Sequence, residues 1–217
     1  MKKIKILLII SVMFSLFLQE GGCESIDNMT YEWNNWRINS LGYDDEHEWD
    51  GNTYEMSVPE DPDFWWKDLY KNNNNIYTFA YTCNSSSIYY SVIDGVLFSA
   101  DLKTLFKYPP MKKGWYYLIP STVECIEAEA FADNFFLQEV VVCDSVKIIR
   151  EDAFNRSRIT RLHVPASVID FDFESISQAI CLKDIIVKEG SECWQSLKIA
   201  EDSQYSDFIE RGIVKVY

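Results

Sequence analysis

The chain has 217 residues, a formal net charge of −14 and a pI near 4.5. An acidic surface of that size repels phosphate backbones, which argues against a nucleic-acid partner. With 47% hydrophobic and 15% aromatic residues, wholesale disorder is excluded, and the length allows one domain or a small pair.

Residues 1–22 read as a signal peptide. Lys2, Lys3 and Lys5 make a positive start, and Ile6–Leu18 is an apolar run of 13 residues interrupted only by Ser11 and Ser15. That run is too short for a stable membrane span, which needs about 20 residues, and it suits a signal-peptide core. Gln19-Glu20-Gly21-Gly22-Cys23 follows. Small residues before a cysteine are similar to a bacterial lipoprotein cleavage site, with Cys23 as the lipid-bearing residue. Glu20 departs from that motif, so ordinary cleavage with Cys23 as a leftover thiol is the other reading.

Residues 23–75 are expected to form a Trp-rich N-terminal cap or small subdomain. They hold Trp33, Trp36, Trp49, Trp65 and Trp66, and show no repeat. Asp44–Gly51 approaches the start of a calcium loop through Glu46, Glu48, Asp50 and Gly51. The closing position is Ser57 rather than glutamate, so a solvated acidic loop is the expectation. Val58–Asp63 reads as an irregular loop, with prolines at 59 and 62.

Strands are expected from Ile76. Ile76–Thr82 alternates, and Ile88–Ile93, Asp94-Gly95 and Val96–Ser99 spell a hairpin, because Asp-Gly supplies the positive φ angles of a primed turn. Thr104–Tyr108 is a further short strand, closed by Pro109-Pro110. Tyr116–Ile119 leads into a repeat. From Leu118 the same segment recurs three times, at spacings of 22 or 23 residues: Pro120, Cys143, Pro165; Val123, Val146, Val168; Phe131, Phe154, Ile176; Leu137, Ile159, Leu182.

A fixed period in the twenties marks a solenoid whose units are each too small to bury their own apolar face. Each unit ends in alternation (Leu137-x-x-Val140-x-Val142, Ile159-x-x-Leu162-x-Val164, Leu182-x-x-Ile185-x-Val187), which predicts a strand with one face inward. Val123-x-x-Ile126, Val146-x-x-Ile149 and Val168-x-x-Phe171 predict a second extended piece. Glu129-Ala130-Phe131, Asp152-Ala153-Phe154 and Glu174-Ser175-Ile176 predict a short helical or 3-10 turn carrying one large apolar anchor. After Ile186–Lys188, the tail predicts a helix capped by Ser191 with Trp194 and Leu197 on one face, and a final strand over Ile213–Tyr217. The fold class expected is therefore an α/β repeat solenoid, dominated by strands.

These residues resemble the BspA-like, treponemal-type leucine-rich repeat family. The likeness rests on Ile119-Pro120-Ser121-Thr122-Val123, Ile126 and Ala130-Phe131, on Ser145-Val146, Ile149 and Ala153-Phe154, and on Val164-Pro165-Ala166-Ser167-Val168. Glu127, Arg150 and Asp172 stand where the family has glycine, Asn134 where it has cysteine, and the third unit lacks Ala-Phe. The resemblance covers residues 76–217, with an insert-like hairpin at 88–110 and a closing unit at 188–217. It implies an exported protein, either a cell-surface or outer-membrane lipoprotein or a secreted one. It also implies non-enzymatic binding of a host or matrix protein, or of another cell surface. It implies no common catalytic residue and no cofactor.

Two binding surfaces are expected as alternatives. One is the outward face of the repeat strands, carrying Glu139, Arg161, His163 and Lys183. The other is a glycan platform on Trp33, Trp36 and Trp49, which would capture polysaccharide by stacking. Membrane contact is expected only through a lipid on Cys23. The sequence contains no G-x-S-x-G elbow, no H-E-x-x-H and no phosphate-cradling glycine loop. Of the six cysteines, Cys83, Cys125, Cys143, Cys181 and Cys193 read as small hydrophobes, with a disulfide between unassigned partners as the alternative in an exported protein, and with no C-x-x-C pair to suggest zinc.

Overall fold

Three matching hydrogen bonds show how the coils stack. The N–H groups of Tyr108, Phe131 and Phe154 donate to the carbonyls of Ala130, Ala153 and Ser175, at 2.7 Å each. In this computed structural model, which describes residues 54–60, 78–179, 181–199 and 214–217, each coil is tied to the next at the same place. All of these residues belong to one unit, Gly51–Tyr217.

The strands, in chain order, are β1 (Tyr54–Ser57), β2 (Thr78–Thr82), β3 (Tyr90–Ile93), β4 (Val96–Ser99), β5 (Thr104–Lys107), β6 (Tyr116–Leu118), β7 (Cys125–Ile126), β8 (Glu139–Val141), β9 (Ile148–Ile149), β10 (Arg161–Val164), β11 (Asp170–Phe171), β12 (Asp184–Val187) and β13 (Val214–Val216). One helix, α1 (Glu192–Ile199), follows β12. β6, β8, β10, β12 and β13 form a parallel five-stranded sheet. β11, β9, β7 and β5 form the parallel part of a second sheet, which the antiparallel pair β4–β3 extends. β1 and β2 make a separate parallel pair. Tyr54–Ser57 is a strand that the sequence reading did not anticipate: it alternates apolar and polar residues, but four residues give a weak signal.

The space between the two sheets is the core. Val123, Val146 and Val168 are fully buried, and each donates its N–H three residues back, to Pro120, Cys143 and Pro165. They therefore hold one equivalent position in successive coils. Phe131 and Phe154 stack at 5.2 Å between centroids, Tyr108 stacks on Phe131 at 5.5 Å, and Ile176 is buried at the equivalent position of the third coil. Each such side chain contributes about 1.5–3 kcal/mol by leaving water. The column thus begins at Tyr108, one coil before the sequence repeat becomes visible. Thr104–Lys107 is part of the solenoid, because β5 pairs in parallel with β7.

Where a short helical or 3-10 turn was expected, the first two units make a single turn, closed by the Ala132 N–H on Glu129 and the Asn155 N–H on Asp152. Glu129 and Asp152 have φ near +56° and +57°. A left-handed residue interrupts helical hydrogen bonding, so Ala130-Phe131 and Ala153-Phe154 follow non-helical turns. Only the third unit makes a 3-10 turn, Phe173–Ser175, where the Asp172 carboxylate accepts from the Glu174 N–H at 2.9 Å. Asn134, standing in for the family's cysteine, is buried. It donates to the Pro109 carbonyl and accepts from the N–H groups of Phe136 and Leu137.

The hairpin turn is as the sequence spells it, with Asp94 and Gly95 both at positive φ. Gly95 is required for a second reason: a Cβ there would lie 2.9 Å from the Ala80 Cβ. At the other end, the Ser191 hydroxyl accepts from the Trp194 N–H at 3.3 Å, and Cys193 and Leu197 of α1 enter the core.

Candidate functional site

The five-stranded sheet presents three columns of residues away from the core. Register aligns Tyr116, Glu139, Arg161 and Asp184 in one column, and Leu118, Val141, His163, Ile186 and Lys215 in the next. The buried column between them is Tyr117, Val140, Leu162, Ile185 and Val214. A rim column precedes the strands. The carbonyls of Trp115, Gln138 and Thr160 each accept two N–H groups from the following coil, and Lys183 holds the next place.

The four residues expected on this face therefore divide among the columns. Glu139 and Arg161 are register partners, His163 lies one column over, and Lys183 lies on the rim, one residue before β12. Asp184, outside those four, is the register partner of Arg161. The reason is that β12 starts one residue after Lys183, so alternation turns Asp184 outward.

The middle of the face is an ion-pair network. Arg161 reaches Glu139 at 3.6 Å and Asp184 at 3.5 Å, and the His163 Nε2 lies 2.9 Å from the Glu139 Oε1. Half-exposed pairs of this kind add about 0–1 kcal/mol each to stability, so they shape the face more than they hold the fold. At the β6 end the face turns apolar. Trp115, Tyr116 and Leu118 are 64%, 43% and 54% exposed. The Trp115 and Tyr116 rings lie 5.6 Å apart, tilted by 50°. Below them, Tyr117 and Tyr108 meet edge to face at 4.9 Å, and burial pushes the Tyr108 hydroxyl up to about 12.

The sequence reading missed this aromatic end. Its signal was present: Tyr116 is apolar where the next coils carry Glu139 and Arg161, and Leu118 where they carry Val141 and His163. The missing step was to count residues 104–118 as a coil. The alternative platform, Trp33, Trp36 and Trp49, lies outside the described residues. So do Cys23 and the signal peptide.

The outer face of the other sheet is built differently. Lys103 pairs with Glu124 at 2.8 Å, and Arg150 with Glu127 at 2.9 Å. Glu127 and Arg150 occupy two of the positions where the family has glycine, and here they make a cross-coil ion pair. Arg150 sits beside Cys125, which is half-buried; burial first, then Glu127, pushes its thiol up. Burial also pushes the Cys193 thiol up.

What the five-stranded face can do is bind. It offers stacking surface at one end and hydrogen-bonding charges in the middle, on a support braced by cross-coil bonds. Among the described residues there is no cluster of histidine, cysteine and carboxylate groups suited to a metal.

Comparison with family models agrees with this architecture. Residues 111–201 match the family model for the BspA type leucine rich repeat region, in six copies. Among solved structures, the chain is similar to the pneumococcal vaccine antigen PcpA, with 15% identity, 61% of this chain and 38% of that chain covered, and a TM-score of 0.47. It is also similar to a leucine-rich repeat protein from Eubacterium ventriosum, at 17% identity, 64% and 43% coverage, and a TM-score of 0.46. A leucine rich cell surface protein from Faecalibacterium prausnitzii is 21% identical, with 57% and 45% coverage and a TM-score of 0.33. The chain spans less than half the length of each of these structures. No curated protein matches it. Residues 111–201 thus carry repeats of the BspA leucine-rich type.

Proposed function

We propose that this protein is an exported, non-enzymatic binding module that holds a protein partner on the outer face of its five-stranded sheet. The partner class is a host or matrix protein, or a protein on another cell surface. Export rests on the apolar leader and Cys23, and a lipid on Cys23 would tether the module to a membrane. The observation that carries the proposal is the placement of Trp115, Tyr116 and Leu118. Three large apolar side chains stand exposed at one end of a face whose middle carries Glu139, Arg161, His163 and Asp184. Exposed aromatics beside charged groups are the usual make-up of a binding hot spot and its rim. Because each coil is already tied to the next, little ordering cost is added on binding.

The test is binding of the mature chain to an immobilised extracellular-matrix protein preparation. The double variant Trp115→Ala, Tyr116→Ala should lose roughly tenfold or more in affinity, about 1.4 kcal/mol. Lys103→Ala, on the opposite sheet, should bind as the parent does. Equal binding by all three chains would remove this face from the mechanism.

A further inference from the structure

β6 ends the five-stranded sheet among the described residues: it pairs with β8 on one side. Its hydrogen bonds tell which way each residue faces. The Trp115 carbonyl accepts from β8, and the Ile119 N–H donates to the Val141 carbonyl. In a parallel ladder the direction alternates, so Tyr117 also faces β8. The N–H and C=O groups of Tyr116 and Leu118 then point to the open edge.

Beyond its shortness, three residues, and the Lys112-Lys113 pair just upstream, this edge carries none of the devices that usually blunt one. β13, at the other end of the sheet, carries the exposed Lys215 in its centre, and β11 carries the exposed Asp170. β6 reads Tyr-Tyr-Leu, with no charge and no proline. It is flanked by Trp115, the most exposed aromatic of the face. An uncharged edge bordered by exposed apolar side chains is a template for another strand.

We infer that the open edge of β6 is a docking site for an extended, apolar strand with basic flanks, donated by a partner protein. The partner strand would bond the free groups of Tyr116 and Leu118. Its side chains on the outer face would pack on Trp115, Tyr116 and Leu118. Charge selects this occupant over a second copy of the chain: two copies at −14 each repel, whereas basic flanks are attracted to an acidic molecule. Main-chain pairing supplies affinity, and alternate side chains supply selectivity. The inference deepens the binding role proposed above, since it names the chemistry of the partner at one end of the same face.

The probe is a blocked hexapeptide, Lys-Thr-Val-Tyr-Val-Lys, added to the mature chain and followed by amide shifts and hydrogen exchange in heteronuclear NMR. Saturable shifts are expected, with new protection at the Tyr116 and Leu118 amides and little change at Tyr117. A peptide N-methylated at alternate residues should bind roughly tenfold more weakly or worse, and a Glu-flanked version should also weaken. Leu118→Pro removes one free N–H without touching the ladder to β8, and proline is tolerated on an edge strand. That variant should lose the peptide and keep its thermal midpoint within a few degrees.

Several outcomes overturn the inference. One is no shift at these amides up to about 1 mM peptide. Another is equal binding of the N-methylated peptide, which would leave the face, not the edge, as the contact. Protection of Tyr116 and Leu118 before peptide is added would mean that the chain's own segment covers the edge. Self-association abolished by Leu118→Pro would make a second copy the occupant. Loss of matrix binding in the Trp115, Tyr116 double variant is read separately, so failure of the edge and failure of the face can be told apart.

Discussion

The two ends of the solenoid are closed by different means, and the difference decides where the surface is open. At the C-terminal end, α1 buries Cys193 and Leu197 in the core and packs against β11, while β13 adds to β12. Both sheets are thus provided for. At the N-terminal end the hairpin β3–β4 extends one sheet only. A second small cluster of Val58, Tyr81, Tyr90, Leu97 and Ala128 backs that hairpin. Among the described residues the other sheet stops at β6, beside exposed Trp115, Tyr116 and Leu118. A terminal unit that covers one layer leaves the neighbouring layer available for contact.

The N-terminal end also contains a buried lysine in place of a small residue. Lys107 precedes Tyr108 as Ala130 precedes Phe131 and Ala153 precedes Phe154. It is 2% exposed, and its ammonium donates to the carbonyls of Glu129 at 2.6 Å and Ala132 at 3.4 Å. Those carbonyls belong to the left-handed turn of the next coil. Beside them, Asp133 is buried against Arg156, 3.0 Å away. The Glu129 carbonyl also accepts the Ala132 N–H at 3.1 Å, so the lysine adds a second donor there and supplies one to the Ala132 carbonyl.

Substitutions can break or sharpen this contrast. Phe154→Ala sets the scale, because it removes the centre that both ends share. Losing its stack on Phe131 should cost about 3–5 kcal/mol in urea unfolding. A cost below about 1 kcal/mol would mean that the column is not the core. Lys107→Met should cost about 3 kcal/mol by the same measurement, since it takes the lysine's bond from the Ala132 carbonyl, leaves Glu129 only the Ala132 N–H, and unbalances nearby carboxylates. A neutral result would remove the lysine from the account of the N-terminal end.

The pH dependence of that end has a definite sign. Burial raises the Glu129 carboxyl above its ordinary value, against the pull of Lys107 and Arg156. A raised acid in the folded state contributes stability at pH values below its ordinary pKa, and that contribution is lost as pH climbs through the raised value. Glu129→Gln cannot titrate, so its stability should gain on the parent's as pH rises from acid to neutral. A relative loss over that range would contradict the burial argument.

Two glycines compare the ends directly. Gly95 and Gly190 both have positive φ, +74° and +78°. An added Cβ at Gly95 meets Ala80, whereas at Gly190 it meets nothing within 4 Å. Gly95→Ala should therefore cost about 2 kcal/mol or more, and Gly190→Ala about 1 kcal/mol, in thermal unfolding. The smallest effect should come from Ser191→Ala, which removes a long cap to Trp194. A loss of about 0.5 kcal/mol is expected, read as a drop in helix signal on heating.

Much of the coil was legible residue by residue. Val123, Val146 and Val168 recur because each fills one equivalent place. The Asp94-Gly95 turn was legible because few dipeptides tolerate positive φ twice. Tyr108 was harder to see: it does the work of Phe131, but Lys107-Tyr108 shares no letters with Ala130-Phe131. The short helical turns expected at Glu129 and Asp152 were misplaced for a related reason. Glutamate and aspartate do not announce a left-handed backbone; Glu129 is bonded there to Glu151 and Lys107 of neighbouring coils, and Asp152 to Asn155 of its own coil. Lys183 and Asp184 are adjacent in sequence, and the strand boundary alone assigns the outward place to the second.

The amino-acid order by itself determined a coil of 22 or 23 residues, its buried columns and the two extended pieces within it. Periodic burial leaves a periodic trace, so one chain without relatives is enough to read it. Only the tertiary structure decided where the first coil begins, which side each end covers, and that Trp115, Tyr116 and Leu118 join Glu139 and Arg161 on one face. Those outcomes depend on pairing between segments about 22 residues apart and on which strand has a neighbour. Pairing of that kind is a property of the assembled sheet, not of any short stretch of chain.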